Sequence, residues 1–160
     1  MLRVTLICVG KLKEKHYIAA VGEYVKRLGT LCKFDIVELS EVKLPDSPSE
    51  KEISQALEKE AGEIEKNIPA GACVVAMCVE GGQMSSPELA CFLEKCAQTG
   101  KSRICFVIGG SFGLSGSIKR RAEVRLSMSE MTFPHHLARV MLCEQIYRGF
   151  TIIEGTKYHK

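Results

Sequence analysis

Residues 104–116, Ile104-Cys105-Phe106-Val107-Ile108-Gly109-Gly110-Ser111-Phe112-Gly113-Leu114-Ser115-Gly116, decide the fold. Five consecutive apolar residues without polar alternation read as a strand buried on both faces, the environment of a parallel sheet covered by helices. The glycine-dense turn that follows hands the chain to a short helix predicted over Ser117–Ala122. Glycine permits positive φ and close backbone approach, which turns at ligand sites often require.

Upstream, Cys73–Val79 repeats the apolar strand pattern. The helix between the two strands starts at Ser86-Pro87 and points Leu89, Phe92, Leu93 and Cys96 inward. Ser49 and Glu52 form a capping box for an earlier helix, lined on one side by Ile53, Ala56, Leu57, Ala61 and Ile64. The connection before it, residues 40–49, holds two prolines and is the candidate flexible segment. Strand Leu2–Val9, helix Lys11–Arg27 and strand Cys32–Leu39 open the chain; Val124, Leu126 and Met128 alternate as a fifth strand, and a last helix runs from His135 to Phe150. Five strands alternating with five helices predict an α/β fold, a mostly parallel sheet with helices on both faces. A length of 160 residues suits one domain spanning 1–160.

No apolar run approaches the ~20 residues of a membrane span, and Val4–Val9 is too short for a signal-peptide core, so a soluble, cytoplasmic protein is expected. Eight cysteines occur without any C-x-x-C and mostly inside apolar runs, which fits free thiols serving as small hydrophobes and no metal site. The net charge of +3 is unevenly spread: residues 119–160 sum to +4 and residues 1–118 to −1. Such asymmetry points to an anionic partner near the C-terminal part.

Ligands of parallel sheets bind beyond the carboxyl ends of the strands, here Glu80–Met84, Gly109–Gly116 and Ser127–Pro134. The glycines fit neither the dinucleotide fingerprint nor a P-loop. Gly109-Gly110-Ser111-Phe112-Gly113 does satisfy G-x-S-x-G, and Glu123 or Glu130 and then His135 follow in Ser, acid, His order, so a small serine hydrolase is a rival reading. In Thr132-Phe133-Pro134-His135-His136-Leu137-Ala138-Arg139 the proline fixes a turn beside two imidazoles, which serve as a base, a phosphate contact or a helix cap. Arg139 either pairs with Glu144 or points from the helix start toward a ligand. The basic, aromatic tail Glu154-Gly155-Thr156-Lys157-Tyr158-His159-Lys160 is either a frayed terminus or a place where a base stacks and phosphates are held.

Across nearly its whole length the chain resembles the small SPOUT-superfamily methyltransferases of the RlmH (YbeA-like) family, which methylate N3 of a pseudouridine in 23S ribosomal RNA. The residues that carry the likeness begin with Val9-Gly10-Lys11-Leu12-Lys13, Glu23-Tyr24, Lys26-Arg27-Leu28 and Cys78-Val79-Glu80-Gly81. They continue through Phe106-Val107-Ile108-Gly109-Gly110-Ser111, Gly113-Leu114, Leu126-Ser127 and Met131-Thr132-Phe133-Pro134-His135. Arg139-Val140, Glu144-Gln145, Tyr147-Arg148 and the terminal Tyr158-His159 complete the set. Phe112 departs from it, since members often carry a polar or acidic residue there.

The resemblance implies S-adenosyl-L-methionine as cofactor. Met77, Cys78 and Gly81 would stand in one wall, Gly109 and Gly110 would approach the cofactor closely, and Met128, Ser129, Glu130, Met131, Thr132, Phe133 and Pro134 would wrap it. It implies a C-terminal trefoil knot in place of an open doubly wound sheet, and a homodimer with its site at the subunit interface. The substrate would be 23S rRNA in the large subunit or the assembled ribosome. His135, Arg139 and His159 are the candidates for assisting loss of the N3 proton, and Arg139, Tyr158 and His159 for facing the RNA. A ribosome-binding factor that keeps the fold without methyl transfer is the non-enzymatic rival.

Overall fold

The computed structural model describes all 160 residues. Strands β1 (Arg3–Val9), β2 (Lys33–Leu39), β3 (Cys73–Gly82), β4 (Arg103–Ile108) and β5 (Val124–Leu126) form one sheet in the order β2-β1-β4-β3-β5. Every pairing is parallel. Helices α1 (Lys15–Leu28), α2 (Glu50–Asn67), α3 (Ser86–Gln98), α4 (Gly116–Arg121) and α5 (His135–Ile153) connect and cover the strands.

Side-chain alternation divides the core in two. Val4, Leu6 and Cys8 of β1 and Ile104, Phe106 and Ile108 of β4 face Val21 and Leu28 of α1, Leu89 and Leu93 of α3, and Leu142 and Ile146 of α5. Ile7, Val9, Cys105 and Val107 face the other way, onto Ala61 and Ile64 of α2 and Ile118 of α4. A central strand buried on both sides must be apolar at every position, which is why 104–108 shows no polar alternation.

The strand positions and the α2 capping box match the sequence reading, with Ser49 Oγ accepting from Glu52 N at 3.2 Å. Several boundaries differ, β3 running on to Gly82 and α5 to Ile153, and the following differences have local readings. Helix α1 starts at Lys15, because Leu12 N donates to Glu38 Oε2 at 3.0 Å and holds the preceding residues as a loop. Helix α3 is capped one residue earlier, by Ser85 and Glu88. Strand β5 stops at Leu126, whose pairing with Gly82 of β3 is closed by Ser127 N donating to the Gly82 carbonyl at 2.8 Å, and Met128 lies beyond the sheet.

The chain leaves β4 at the middle of the sheet and reaches its edge as β5 beside β3; α5 then returns to pack on α1 and α3. This path is consistent with the expected knotted fold. No helix is long and apolar enough to cross a membrane.

Candidate active site

The segments after β3, β4 and β5 converge on one cavity of about 730 Å³. Its walls are Met77–Glu80, Ile108–Leu114 and Leu126–Pro134 without Glu130, closed by Lys119, His135 and Ala138. Met77, Cys78, Gly109, Gly110, Met128, Ser129, Met131, Thr132, Phe133 and Pro134, expected around a cofactor, thus share one wall system. Gly81 and Glu130 do not line it; Glu130 is exposed on the loop's outer side.

Each glycine of the site has a definable reason. A Cβ on Gly109 would lie 2.2 Å from the carbonyl oxygen of Gly113, and one on Gly81 would lie 2.8 Å from the backbone of Arg125 and Leu126. Gly109 therefore closes the turn and Gly81 lets β3 and β5 touch. Gly113 adopts φ +78°, and its N–H donates to the Gly110 carbonyl at 3.0 Å. Across the cavity, Ser127 Oγ donates to Ser129 O at 2.9 Å and Met131 N donates to Ser129 Oγ at 3.1 Å, shaping the loop before α5. Phe112 and Met131 stand exposed at the rim. Lys119 pairs with Glu80 at one side.

His135 opens α5 at the cavity wall. Burial lowers its pKa, with the neighbouring His136 and then Arg139 adding to the effect against Glu41 and Glu14, so a neutral imidazole is favoured. Its Nδ1 is buried without a partner, an orphan polar atom of the kind that a bound group satisfies. His136 instead faces Glu14 Oε2 at 3.4 Å.

Arg139 does not face outward, as the RNA-contact reading required. It is 1% exposed, donating from Nη1 to Glu38 Oε2 at 2.6 Å and from Nη2 to the Gly10 carbonyl at 2.8 Å. Glu144 pairs with Arg148 instead, one turn further along α5. Gly10 follows β1 and Glu38 lies near the end of β2, so a guanidinium near the start of α5 reaches the strand ends before it reaches solvent.

The tail does not line this cavity. Tyr158 packs edge-on against Tyr147 at 4.8 Å, its hydroxyl donates to Glu144 Oε1 at 3.2 Å, and Arg148 lies over its ring at 4.8 Å. His159 Nδ1 sits 3.5 Å from Arg148 Nη1. Within one chain, His135 and His159 are thus at separate places. Glu144 lines a second cavity of about 560 Å³ with Tyr24, Met84, Leu89, Val140 and Met141, divided from the first by Leu126–Met128.

The hydrolase rival loses its geometry. Ser111 Oγ has no histidine or acid on it; only the Ser111 amide is engaged, donating to Glu41 Oε1 at 2.9 Å. Glu123 is spent on strand pairing, accepting from Val74 N at 2.7 Å. The cysteines are all free, and no three His, Cys, Asp or Glu side chains converge as for a metal. Sequence reasoning missed Glu38 and Glu41, acids from the end of β2 and the loop after it, which meet the site from 70 and more positions away. It also missed Lys119, whose position one turn into α4 was the available signal.

A hollow of this size has apolar walls from Met77, Ile108, Leu114 and Phe133, backbone amides from the glycine turn, and the His135 imidazole at its wall. These features suit a ligand with an aromatic ring, a ribose and an amino-acid end, the make-up of S-adenosylmethionine.

A family model described as "Predicted SPOUT methyltransferase" matches residues 2–159. The chain is 50% identical over 159 residues to ribosomal RNA large subunit methyltransferase H of Clostridium beijerinckii, covering 99% of this chain and all of that one. It is 46% identical to the protein of that name from Bacillus pumilus with the same coverage. Among solved structures, a probable methylase family protein of Haemophilus influenzae superposes with TM-score 0.51 at 17% identity, over 99% of this chain and 70% of that one. A structure described for 2-OH methylation of C/U34 on tRNA superposes with TM-score 0.54 at 16% identity, over 97% and 99%. The structural likenesses show the shared fold, and the full-length match shows the family: this chain belongs to the SPOUT methyltransferases.

Proposed function

We propose that this protein transfers a methyl group from S-adenosylmethionine to N3 of a pseudouridine in 23S ribosomal RNA of the large subunit. The reading is carried by the 50% identity over full length to a named large-subunit rRNA methyltransferase. The single cavity formed by the three strand-end loops supports it.

The cofactor, when bound, supplies an electrophilic methyl on a sulfonium. The chain's own work is to hold, align and deprotonate. Met77–Glu80, Ile108–Gly113, Met128, Ser129 and Met131–Pro134 would hold the cofactor through apolar side chains and backbone amides. His135, kept neutral by burial, takes the N3 proton from the pseudouridine. Arg139 acts at one remove: by fixing Gly10 and Glu38 it sets the floor beneath His135. Tyr158 and His159 face the RNA, stacking and contacting phosphate.

The chain works as a homodimer in the cytoplasm, where its ribosomal substrate is. The apolar cavity lined by Tyr24, Met84, Val140 and Met141 supports a partner-facing surface there, which would bring the tail of one copy toward the site of the other. Light scattering on the purified protein tests the dimer. Incubation with tritiated S-adenosylmethionine and ribosomes from cells lacking the protein tests the reaction: label on 23S rRNA is expected, and ribosome binding without transfer would favour a non-catalytic factor.

A further inference from the structure

We propose that Glu41, which lies outside the cofactor cavity, is a positioning residue for it: its carboxylate fixes the Gly109–Gly113 turn in the shape that receives S-adenosylmethionine. This inference rests on the cofactor assigned above.

Glu41 comes from the segment after β2, the connection that looked flexible in sequence. Its Oε1 accepts the Ser111 N–H at 2.9 Å across 70 residues of chain. The same carboxylate lies against Gly110: a Cβ there would sit 2.6 Å from Oε1 and 2.9 Å from Cδ of Glu41. Gly110 thus lacks a side chain to admit Glu41, a reason found within the protein. Glu41 Oε2 also borders Gly10, at 3.8 Å from where a Cβ would stand, and His135 Cε1 borders that same point at 3.5 Å. One carboxylate therefore sits where the β1 loop, the glycine turn and the start of α5 meet.

The turn has little else to hold it. Its own closing bond runs from Gly113 N to Gly110 O, and glycine-rich backbone loses more freedom on ordering than any other. A charge-assisted bond to the Ser111 amide supplies the missing restraint and orders the turn before the ligand arrives. Preorganisation of this kind acts chiefly on ligand affinity, because Glu41 touches no reacting atom.

Calorimetric titration of S-adenosylmethionine and its demethylated product into wild type, Glu41→Gln, Glu41→Ala, Gly110→Ala and the Glu41→Ala/Gly110→Ala double variant tests this. Glu41→Ala is expected to weaken both ligands about tenfold, while Glu41→Gln, which keeps an acceptor oxygen, stays within about threefold. In both, the rise in KM for the cofactor should exceed any fall in kcat at saturating cofactor. Gly110→Ala, whose methyl evicts the carboxylate, should match Glu41→Ala, and the double variant should be no worse than either. Wild-type affinity in Glu41→Ala, or losses that simply add in the double variant, would overturn the proposal. Amide exchange at Ser111 in unliganded wild type gives an independent reading should Glu41→Ala not fold: slowed exchange is expected, and exchange at the rate of a free exposed amide overturns the clamp. Failure of wild type to bind either ligand would instead refute the cofactor assignment, while Ser111 exchange still reports on the clamp.

Discussion

Arg139 and Glu38, 101 positions apart, form an ion pair at 2.6 Å, its guanidinium buried and its carboxylate partly exposed, that ties the start of α5 to the end of β2. The same Glu38 oxygen accepts from Leu12 N at 3.0 Å, and the other Arg139 nitrogen holds the Gly10 carbonyl. Two side chains thereby fix three segments beside the cavity. Arg139 is the largest fully buried side chain of the protein.

Arg139→Ala removes the buried guanidinium with its bonds to Glu38 and the Gly10 carbonyl, while the partly exposed Glu38 carboxylate regains water, so the loss is about 2 kcal/mol. For a chain of this size the thermal midpoint is expected to fall by roughly 4–8 °C. Glu38→Gln leaves the buried guanidinium charge without its carboxylate and should lose at least as much. Thermal melts of the two variants check the order; a wild-type midpoint for Arg139→Ala would return Arg139 to an RNA-facing role.

Glu60 of α2 is buried, its Oε2 has no partner, and burial together with the nearby Glu41 pushes its pKa up to about 7. A carboxyl with a raised folded pKa binds its proton more tightly folded than unfolded. Its contribution is present below the unfolded pKa and is lost as pH climbs through the folded value. The protein should thus lose on the order of 2 kcal/mol from this group between pH 4.5 and 7.5. Denaturant titrations of wild type and Glu60→Gln at both pH values check it: the variant should gain relative to wild type as pH rises. A pH-independent difference would show that Glu60 keeps an ordinary pKa.

His135 acting as a neutral base makes activity fall as it protonates. The folded pKa lies below 6.5, so kcat/KM for ribosomes should hold from neutral pH down to about 6.5 and drop beneath it. His135→Gln should lower kcat by about 10²-fold and remove that acidic limb. A retained limb in the variant would assign it to another group.

Removal of Tyr158–Lys160 should reduce methyl transfer at least tenfold through lost stacking and phosphate contacts, with cofactor affinity changed less than about threefold. Calorimetry alongside a ribosome transfer assay separates the two effects. Loss of cofactor affinity instead would place the tail against the cofactor.

What sequence made legible was local. The apolar run 104–108, the Ser49–Glu52 capping box and the Pro134 turn each act within a few residues, and the loop convergence followed from sheet logic alone. Arg139 was ambiguous because its partners, Gly10 and Glu38, come from β1 and β2, far from its own helix. Glu41 was invisible because two nearby prolines make its segment look like a linker. For Gly109 and Gly110 the family resemblance points to the cofactor as the reason for glycine, whereas Gly113 and Glu41 supply one within the chain. The position of β5 beside β3 was likewise unreadable, being set by backbone contact at Gly81.

The most direct test is mass spectrometry of 23S rRNA from cells with and without this protein. Loss of a single methyl from a single pseudouridine, restored by the wild-type chain and not by His135→Gln, is the expected result. An unchanged methylation pattern, or a methyl lost from any other kind of base, would contradict it.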